Sequence, residues 1–282
     1  MTISEFKIYF KKELSEFYTE SESAALYSIF VNKLVGFDKY RQRRFENHPL
    51  LESHIEDLEN VISELKTGKP FQQILGETEF YGLKIFMDEN VLIPRPETEE
   101  LLELAIEKIK NNFQNKALKI LDIGTGSGII PIVLKKKFPD AKVSAIDYSE
   151  KALKVAQKNA NFHKVEIEFI HQDYLNENLT EKYDVIISNP PYIGIDEENE
   201  IADSVKDFEP KMALFSPTSN ALVFYEKIAK DCRKYLSENG MIFLEINQKL
   251  GIETRNLYQE ILSEVHLMKD ISGNDRFVWG KK

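Results

Sequence analysis

Apolar residues recur at helical spacing through the first 67 positions. The clearest stripe is Leu51, Ile55, Leu58, Ile62 and Leu65, whose steps of four, three, four and three predict an amphipathic helix stopped by Gly68. An earlier stripe, Ala25, Leu26, Ile29, Phe30 and Leu34, predicts a helix that starts near Ser21 and ends at Gly36. Such stripes exist to bury one another, so residues 1–67 are expected to form a small helical bundle. The pattern then shortens. Residues 73–80 and 83–87 read as two β-type stretches broken at Tyr81-Gly82, which predicts a hairpin within a connector spanning 68–95. The connector ends on Ile93-Pro94-Arg95-Pro96-Glu97, stiffened by two prolines, and leads into a helix carrying Leu101, Leu104 and Ala105.

From about residue 118 short apolar strands alternate with helical stretches, the signature of a mostly parallel sheet covered on both faces. The strands are expected at 119–123, 142–146, 166–170, 183–188, 241–246, 265–271 and 276–279. Only residues 272–275 separate the last two, too few for a crossover helix. They are therefore expected to pair antiparallel and to leave one reversed strand at an edge of the sheet. Residues 96–282 thus read as one α/β domain.

The first of these strands runs into Asp122-Ile123-Gly124-Thr125-Gly126-Ser127-Gly128, and a helix follows, so a glycine-rich turn joins strand to helix. Open α/β sheets bind nucleosides at such turns, where a Cβ would obstruct both the backbone angles and a ligand's approach. The second strand ends at Asp147, placed to accept from both hydroxyls of a ribose. The third is followed by Asp173-Tyr174, an acid that can accept from an adenine amino group and a ring that can lie against the base. The glycine spacing of two and two, and the reversed final strand, both speak against a dinucleotide. S-adenosylmethionine fits better: it has no phosphates to cradle, and its sulfonium and ammonium suit a pocket with Asp122 close by.

The fourth strand ends in Asn189-Pro190-Pro191-Tyr192. Two prolines fix a rigid corner and contribute carbonyl acceptors but no N–H donors. A planar amino group is the natural guest, its two N–H groups taken by the Asn189 side-chain oxygen and the Pro190 carbonyl while Tyr192 covers one face. An amide or aryl amine nitrogen is a poor nucleophile, so catalysis there rests on placement and on acceptors that strengthen as the nitrogen turns positive.

Composition narrows the partners. With 37 Lys and Arg against 47 Asp and Glu, the net charge is −10, which argues against a protein that coats nucleic acid. The single cysteine, Cys232, excludes an intramolecular disulfide framework and points to a reducing compartment. The five histidines are scattered, so no metal is expected. Charges interrupt the first twenty residues and no apolar run reaches membrane length, so a soluble, cytoplasmic protein without membrane contact is expected.

Beyond the glycine loop and the tetrapeptide, the chain carries Phe80-Tyr81-Gly82, the run from Ile93 to Glu99, Phe208-Glu209-Pro210 with Ala213-Leu214, and Gly273-Asn274-Asp275-Arg276. With these segments it resembles, over essentially its whole length, the release-factor glutamine N(5)-methyltransferases of the PrmC/HemK family. The resemblance implies a seven-stranded Rossmann-like S-adenosylmethionine-dependent methyltransferase domain, with a small N-terminal helical bundle domain and a β-hairpin connector. It also implies methylation of the glutamine in the Gly-Gly-Gln motif of peptide chain release factors, and a helical domain, here residues 1–67, that docks the protein substrate. By the same resemblance the loop Gly124 to Gly128, Asp147 and Tyr174 hold the cofactor while Asn189 to Tyr192 grip the amide. Two positions depart from the family pattern: Tyr174, often tryptophan or another apolar residue, and Asn247, commonly glycine. Within the helical region Lys33, Lys39, Arg41, Arg43 and Arg44 form a basic cluster in an otherwise acidic chain. The rival reading is a nucleic-acid methyltransferase acting on adenine N6 or guanine N2, which offers the tetrapeptide the same planar amino group.

Overall fold

The computed structural model describes residues 1–113, 117–194 and 203–282. They divide into two compact units, Met1–Glu77 and Thr78–Lys282.

The first unit is built from α1 (Ile3–Glu13), α2 (Glu20–Val35), α3 (Lys39–Arg44), α4 (Glu52–Lys66) and α5 (Phe71–Leu75). Capping explains two of the starts. Thr2 and Glu5 form one capping box and Thr19 and Glu22 another, so the second helix begins one residue ahead of Ser21. Gly36 closes α2 in the left-handed conformation, φ 76°. The stripes meet in a core of Phe6, Phe10, Leu26, Phe30, Leu58, Ile62 and Leu65. There the buried Tyr27 hydroxyl donates to the Ile3 carbonyl at 2.6 Å. The strand expected from residue 73 begins only at Glu77. Residues 71–75 form a helical turn instead, because Phe71, Ile74 and Leu75 pack on this core and Gly76, φ 68°, ends the turn.

The second unit opens on the hairpin β1 (Glu77–Phe80) and β2 (Leu83–Phe86). Tyr81 at φ 53° and Gly82 at φ 67° are both left-handed, as a two-residue type I′ turn requires. Phe80 and Ile85 belong to the large apolar core of this unit, and the division into compact units falls at Glu77/Thr78.

Seven strands follow: β3 (Lys119–Ile123), β4 (Lys142–Asp147), β5 (Glu168–His171), β6 (Tyr183–Ser188), β7 (Leu236–Glu245), β8 (Glu264–Lys269) and β9 (Asp275–Lys281). They form one sheet in the order β5-β4-β3-β6-β7-β9-β8, parallel except for β9. The reversed strand does not lie at the edge, as the sequence pattern predicts. It is inserted between β7 and β8. Burial decides this: Phe277, Val278 and Trp279 of β9 are covered, whereas β8 exposes Glu264, His266, Met268 and Lys269 and suits the rim.

Successive residues of the strands feed two cores. Ile120, Val143, Val185, Ile187 and Phe243 join α6 (Pro96–Asn112) and α7 (Ile129–Lys137) on one face. Leu121, Ile146, Ile186, Ile242 and Leu244 join α11 (Val223–Tyr235) on the other. Helix α8 (Glu150–His163) follows β4, α9 (Asp203–Phe208) and α10 (Lys211–Leu214) lie between β6 and α11, and α12 (Gly251–Asn256) precedes β8. Among the described residues no helix is long and apolar enough to cross a membrane.

Candidate active site

A cavity of about 550 Å³ opens at the carboxyl ends of β3, β4, β5 and β6. This is where the loops of an open parallel sheet leave room for a ligand. Gly124 and Gly126 line it from the turn after β3, Asp147 to Ser149 from the end of β4, Gln172 to Asn176 from beyond β5, and Asn189 and Pro191 from beyond β6. Ile123, Ile146, Ala152, Asn90 to Leu92, Lys211 to Ala213, Phe215 to Pro217 and Phe224 complete the wall.

The glycine turn is held from beneath. Gly124 N–H and Thr125 N–H donate to the Ile146 carbonyl at 2.9 and 3.0 Å, which ties the turn to β4. Gly124, Gly126 and Gly128 all have positive φ, 76°, 55° and 80°. At Gly128 a second constraint applies, since a Cβ there would stand 2.9 Å from the Ala156 Cβ of α8. Thr125, Ser127 and Gly128 are therefore the frame of the turn and do not line the cavity. Asn159 of α8 reinforces that frame by donating to the Ser127 carbonyl at 2.9 Å.

Asp147 Oδ2 accepts from Gly126 N–H and Oδ1 from Ser149 N–H, both at 2.8 Å. Each oxygen keeps a further lone pair, so the carboxylate can brace the turn and accept from a diol together. Burial raises its pKa, and the backbone N–H groups pull the other way. Asp122 is fully buried under the turn, and neither of its oxygens has a hydrogen-bond partner. Burial pushes its carboxyl up to about 7, opposed by the nearby Thr125 hydroxyl, which itself makes no hydrogen bond, and with Asp147 adding. Asp122 does not reach the cavity wall. Asp173 does, with one oxygen accepting from Asn176 Nδ2 at 2.9 Å. The Tyr174 ring is buried in the core beneath, with the Lys227 ammonium 4.8 Å from its centroid.

This lining fits S-adenosylmethionine. Acceptors stand at two strand ends for hydroxyl and amino groups, and Ile123, Ile146 and Leu175 offer apolar wall for a base. Two glycines bring the backbone to the cavity without side chains, and Lys211 is the one basic residue among the described residues of the wall. A pyrophosphate would want more.

The tetrapeptide splits between cavity and interior. Ser188 Oγ donates to the Ile123 carbonyl at 2.7 Å and locks the end of β6 to β3. Asn189 and Pro191 then line the cavity, while Pro190 is buried and, like Tyr192, does not line it. Asn189 Nδ2 donates to Thr98 Oγ1 at 3.2 Å. The Tyr192 hydroxyl faces Glu245 Oε1 at 3.4 Å, and burial raises its pKa. Asn247 Nδ2 donates to the Tyr192 carbonyl at 3.1 Å, so the residue that departs from the family pattern fixes the corner's far side. Ile193 pairs with the segment after α10: its N–H donates to Leu214 O at 3.1 Å and its carbonyl accepts from Ser216 N–H at 2.9 Å.

Three residues have supporting roles that the sequence reading does not assign, although two of them, Glu209 and Thr98, lie in segments that carry the resemblance. Glu209, nearly fully buried, accepts from Ile93 N–H at 2.9 Å and from Arg95 at 2.6 Å. Two of the segments that carry the resemblance are thereby clamped together. Thr98 and Glu245 are the others. A carboxylate inside the apolar run Met241 to Ile246 is the available signal for Glu245.

Residues 101–206 match the family model described as the methyltransferase small domain. The release factor glutamine methyltransferase of Flavobacterium psychrophilum is 42% identical across 99% of this chain and 98% of its own. That of Bacteroides thetaiotaomicron is 37% identical over 96% of each. Among solved structures, a methyltransferase from Pyrococcus furiosus superposes with a TM-score of 0.51 at 17% identity, covering 79% of this chain and 98% of that one, and shares the fold. The Thermus thermophilus 16S rRNA N2 G1207 methyltransferase, solved with AdoMet and guanosine, has the same TM-score at 18% identity, over 73% of this chain and 49% of its own. With near-full-length identity of this order, the chain belongs to the release factor glutamine methyltransferase family.

Proposed function

We propose that this methyltransferase moves the methyl group of S-adenosylmethionine to the side-chain amide nitrogen of the glutamine in the Gly-Gly-Gln motif of peptide chain release factors. The observation that carries the reading is the carboxamide of Asn189, set on the cavity wall beyond β6 with its nitrogen turned to Thr98. The oxygen is then the end that can accept from a substrate N–H. S-adenosylmethionine supplies a methyl group on an electron-poor sulfonium carbon.

Gly124, Gly126, Asp147 and Asp173 are the residues assigned to hold the cofactor, with Asp122, Thr125, Ser127 and Gly128 framing the turn beneath and Tyr174 supporting the floor. Asn189 takes a glutamine N–H group from the cavity wall, the neighbouring Pro190 carbonyl is assigned the second although the rest of Pro190 does not line the cavity, and Pro191 and Tyr192 stiffen and cover the corner. The amide lone pair is delocalised, so the two acceptors do their work as the nitrogen loses that delocalisation and turns positive. Holding nitrogen and methyl carbon in line removes much of the entropic barrier. The methylated nitrogen is acidic enough to lose its proton to water, so no residue is assigned as a base.

The helical residues 1–67 are the docking region for the release factor, in a cytoplasmic setting that suits a single reduced cysteine. The test offers a release factor and a pool of RNA and DNA side by side with labelled donor. Label confined to the Gly-Gly-Gln glutamine supports the reading; label on adenine N6 or guanine N2 with an unaltered peptide overturns it.

A further inference from the structure

Glu245 ends β7 beside the corner and is almost fully buried, as is Thr98 in the first turn of α6. Thr98 Oγ1 donates to Glu245 Oε2 at 2.8 Å and accepts from Asn189 Nδ2 at 3.2 Å. The other carboxylate oxygen faces the Tyr192 hydroxyl.

We propose that Thr98 and Glu245 are positioning residues that fix which end of the Asn189 carboxamide is offered to the substrate. The inference deepens the function proposed above and rests on it. An isolated asparagine on a cavity wall can turn over, because its amide presents an acceptor and a donor of nearly equal size. Turned the wrong way, its NH2 would meet the substrate's own N–H groups. With Glu245 ionised, the hydrogen count in the chain removes that freedom. An ionised carboxylate only accepts, so Glu245 takes the single hydrogen of the Thr98 hydroxyl. The Thr98 oxygen is then left with lone pairs alone toward Asn189, and only Nδ2 can satisfy it.

The pair acts at one remove from the reacting atoms, and its two acceptor positions hold both side chains that flank the prolines. Burial pushes the Glu245 carboxyl up to about 7, while the Thr98 hydroxyl and Arg276 of β9 favour its ionised form and Glu97 opposes it. The flanking Tyr225 hydroxyl donates to the Glu245 backbone carbonyl at 3.0 Å and holds this strand end in place.

The test is a double-mutant cycle in the full-length enzyme, run on the alkaline side of neutrality so that Glu245 is ionised. The rate constant kcat, KM for the methyl acceptor, cofactor Kd and the thermal midpoint are measured for each variant. Thr98→Val keeps the shape and removes the hydroxyl. It is expected to lower kcat about tenfold, the worth of one hydrogen bond, with cofactor Kd unchanged. Thr98→Ser is expected to restore kcat to within about twofold. In an Asn189→Ala background Thr98→Val is expected to cost less than about twofold, because its effect runs through Asn189. Should Thr98→Val fail to fold, Thr98→Ala enters the same cycle. Wild-type kcat in the hydroxyl-free variant, an unrescued Thr98→Ser, or an undiminished loss in the Asn189→Ala background each overturns the proposal. Whichever acceptor the wild type methylates is used throughout. A wrong substrate therefore shows in the wild type, and a wrong polarity assignment shows only in the variants.

Discussion

Asp122 illustrates how one residue can be readable in kind and hidden in condition. Its place before the glycine turn is visible in the sequence, but its lack of partners is not, since both oxygens lie under a turn whose N–H groups go to Ile146 and Asp147. Burial lifts the carboxyl from 3.8 to about 7 in the folded protein. Between those values the folded chain keeps a proton that the unfolded chain has lost, so this residue's contribution to stability falls as pH rises from about 4 to about 7 and is fully lost above. Asp122→Asn has no such titration. Urea melts of the two proteins from pH 4 to pH 8 are expected to diverge in the variant's favour by a few kcal/mol, since each pH unit between the two values is worth about 1.4 kcal/mol. Parallel curves would show that Asp122 is solvated or paired. Glu245 is hidden in the sequence for a related reason. Strand patterning assigns apolar or polar to a face and does not reveal that a carboxylate is enclosed with a threonine 147 residues away in sequence.

At the scale of elements, helix stripes, strand runs and the proline-stiffened entry to α6 are legible because each repeats a local period. What escapes is non-local or too short. Helix α5, five residues long, takes its form from the core it packs on, and the inner place of β9 depends on which hairpin arm is better buried. The glycine turn shows both kinds of information at once. All three glycines are evident, yet only the structure separates Gly126, around which a Cβ meets nothing within 4 Å, from Gly128, which lies against α8. Gly128→Ala is expected to destabilise the protein by about 1–3 kcal/mol through overpacking and positive φ. Gly126→Ala, open on all sides, is expected to cost about 1 kcal/mol of stability from its backbone angle alone. Equal denaturation midpoints for the two would contradict the assignment of Gly128 to the frame.

For the whole molecule, the chain forms two compact units. The first carries the basic helix α3, capped by Asp38, in a chain of net charge −10. Part of the cluster is already engaged: Lys33 pairs with Glu77 at 2.5 Å, and Arg44 donates to the Tyr40 hydroxyl at 3.1 Å. Charge reversal at Arg43 and Arg44 to Glu is expected to raise KM for the release factor several-fold and leave cofactor affinity as it was. Unchanged kinetics would remove α3 from the docking surface. The second unit brings Asp147, Asn189 and the glycine turn to one sheet edge, and whether that edge aims a nitrogen is decided by Asn189→Ala. Calorimetry with S-adenosylmethionine and single-turnover methyl transfer to a release factor, run on the same preparation, should give a Kd within about threefold of wild type and a rate lower by about 100-fold or more. Affinity and rate falling together, or a rate that does not fall, would contradict the placing of that carboxamide against the reacting amide.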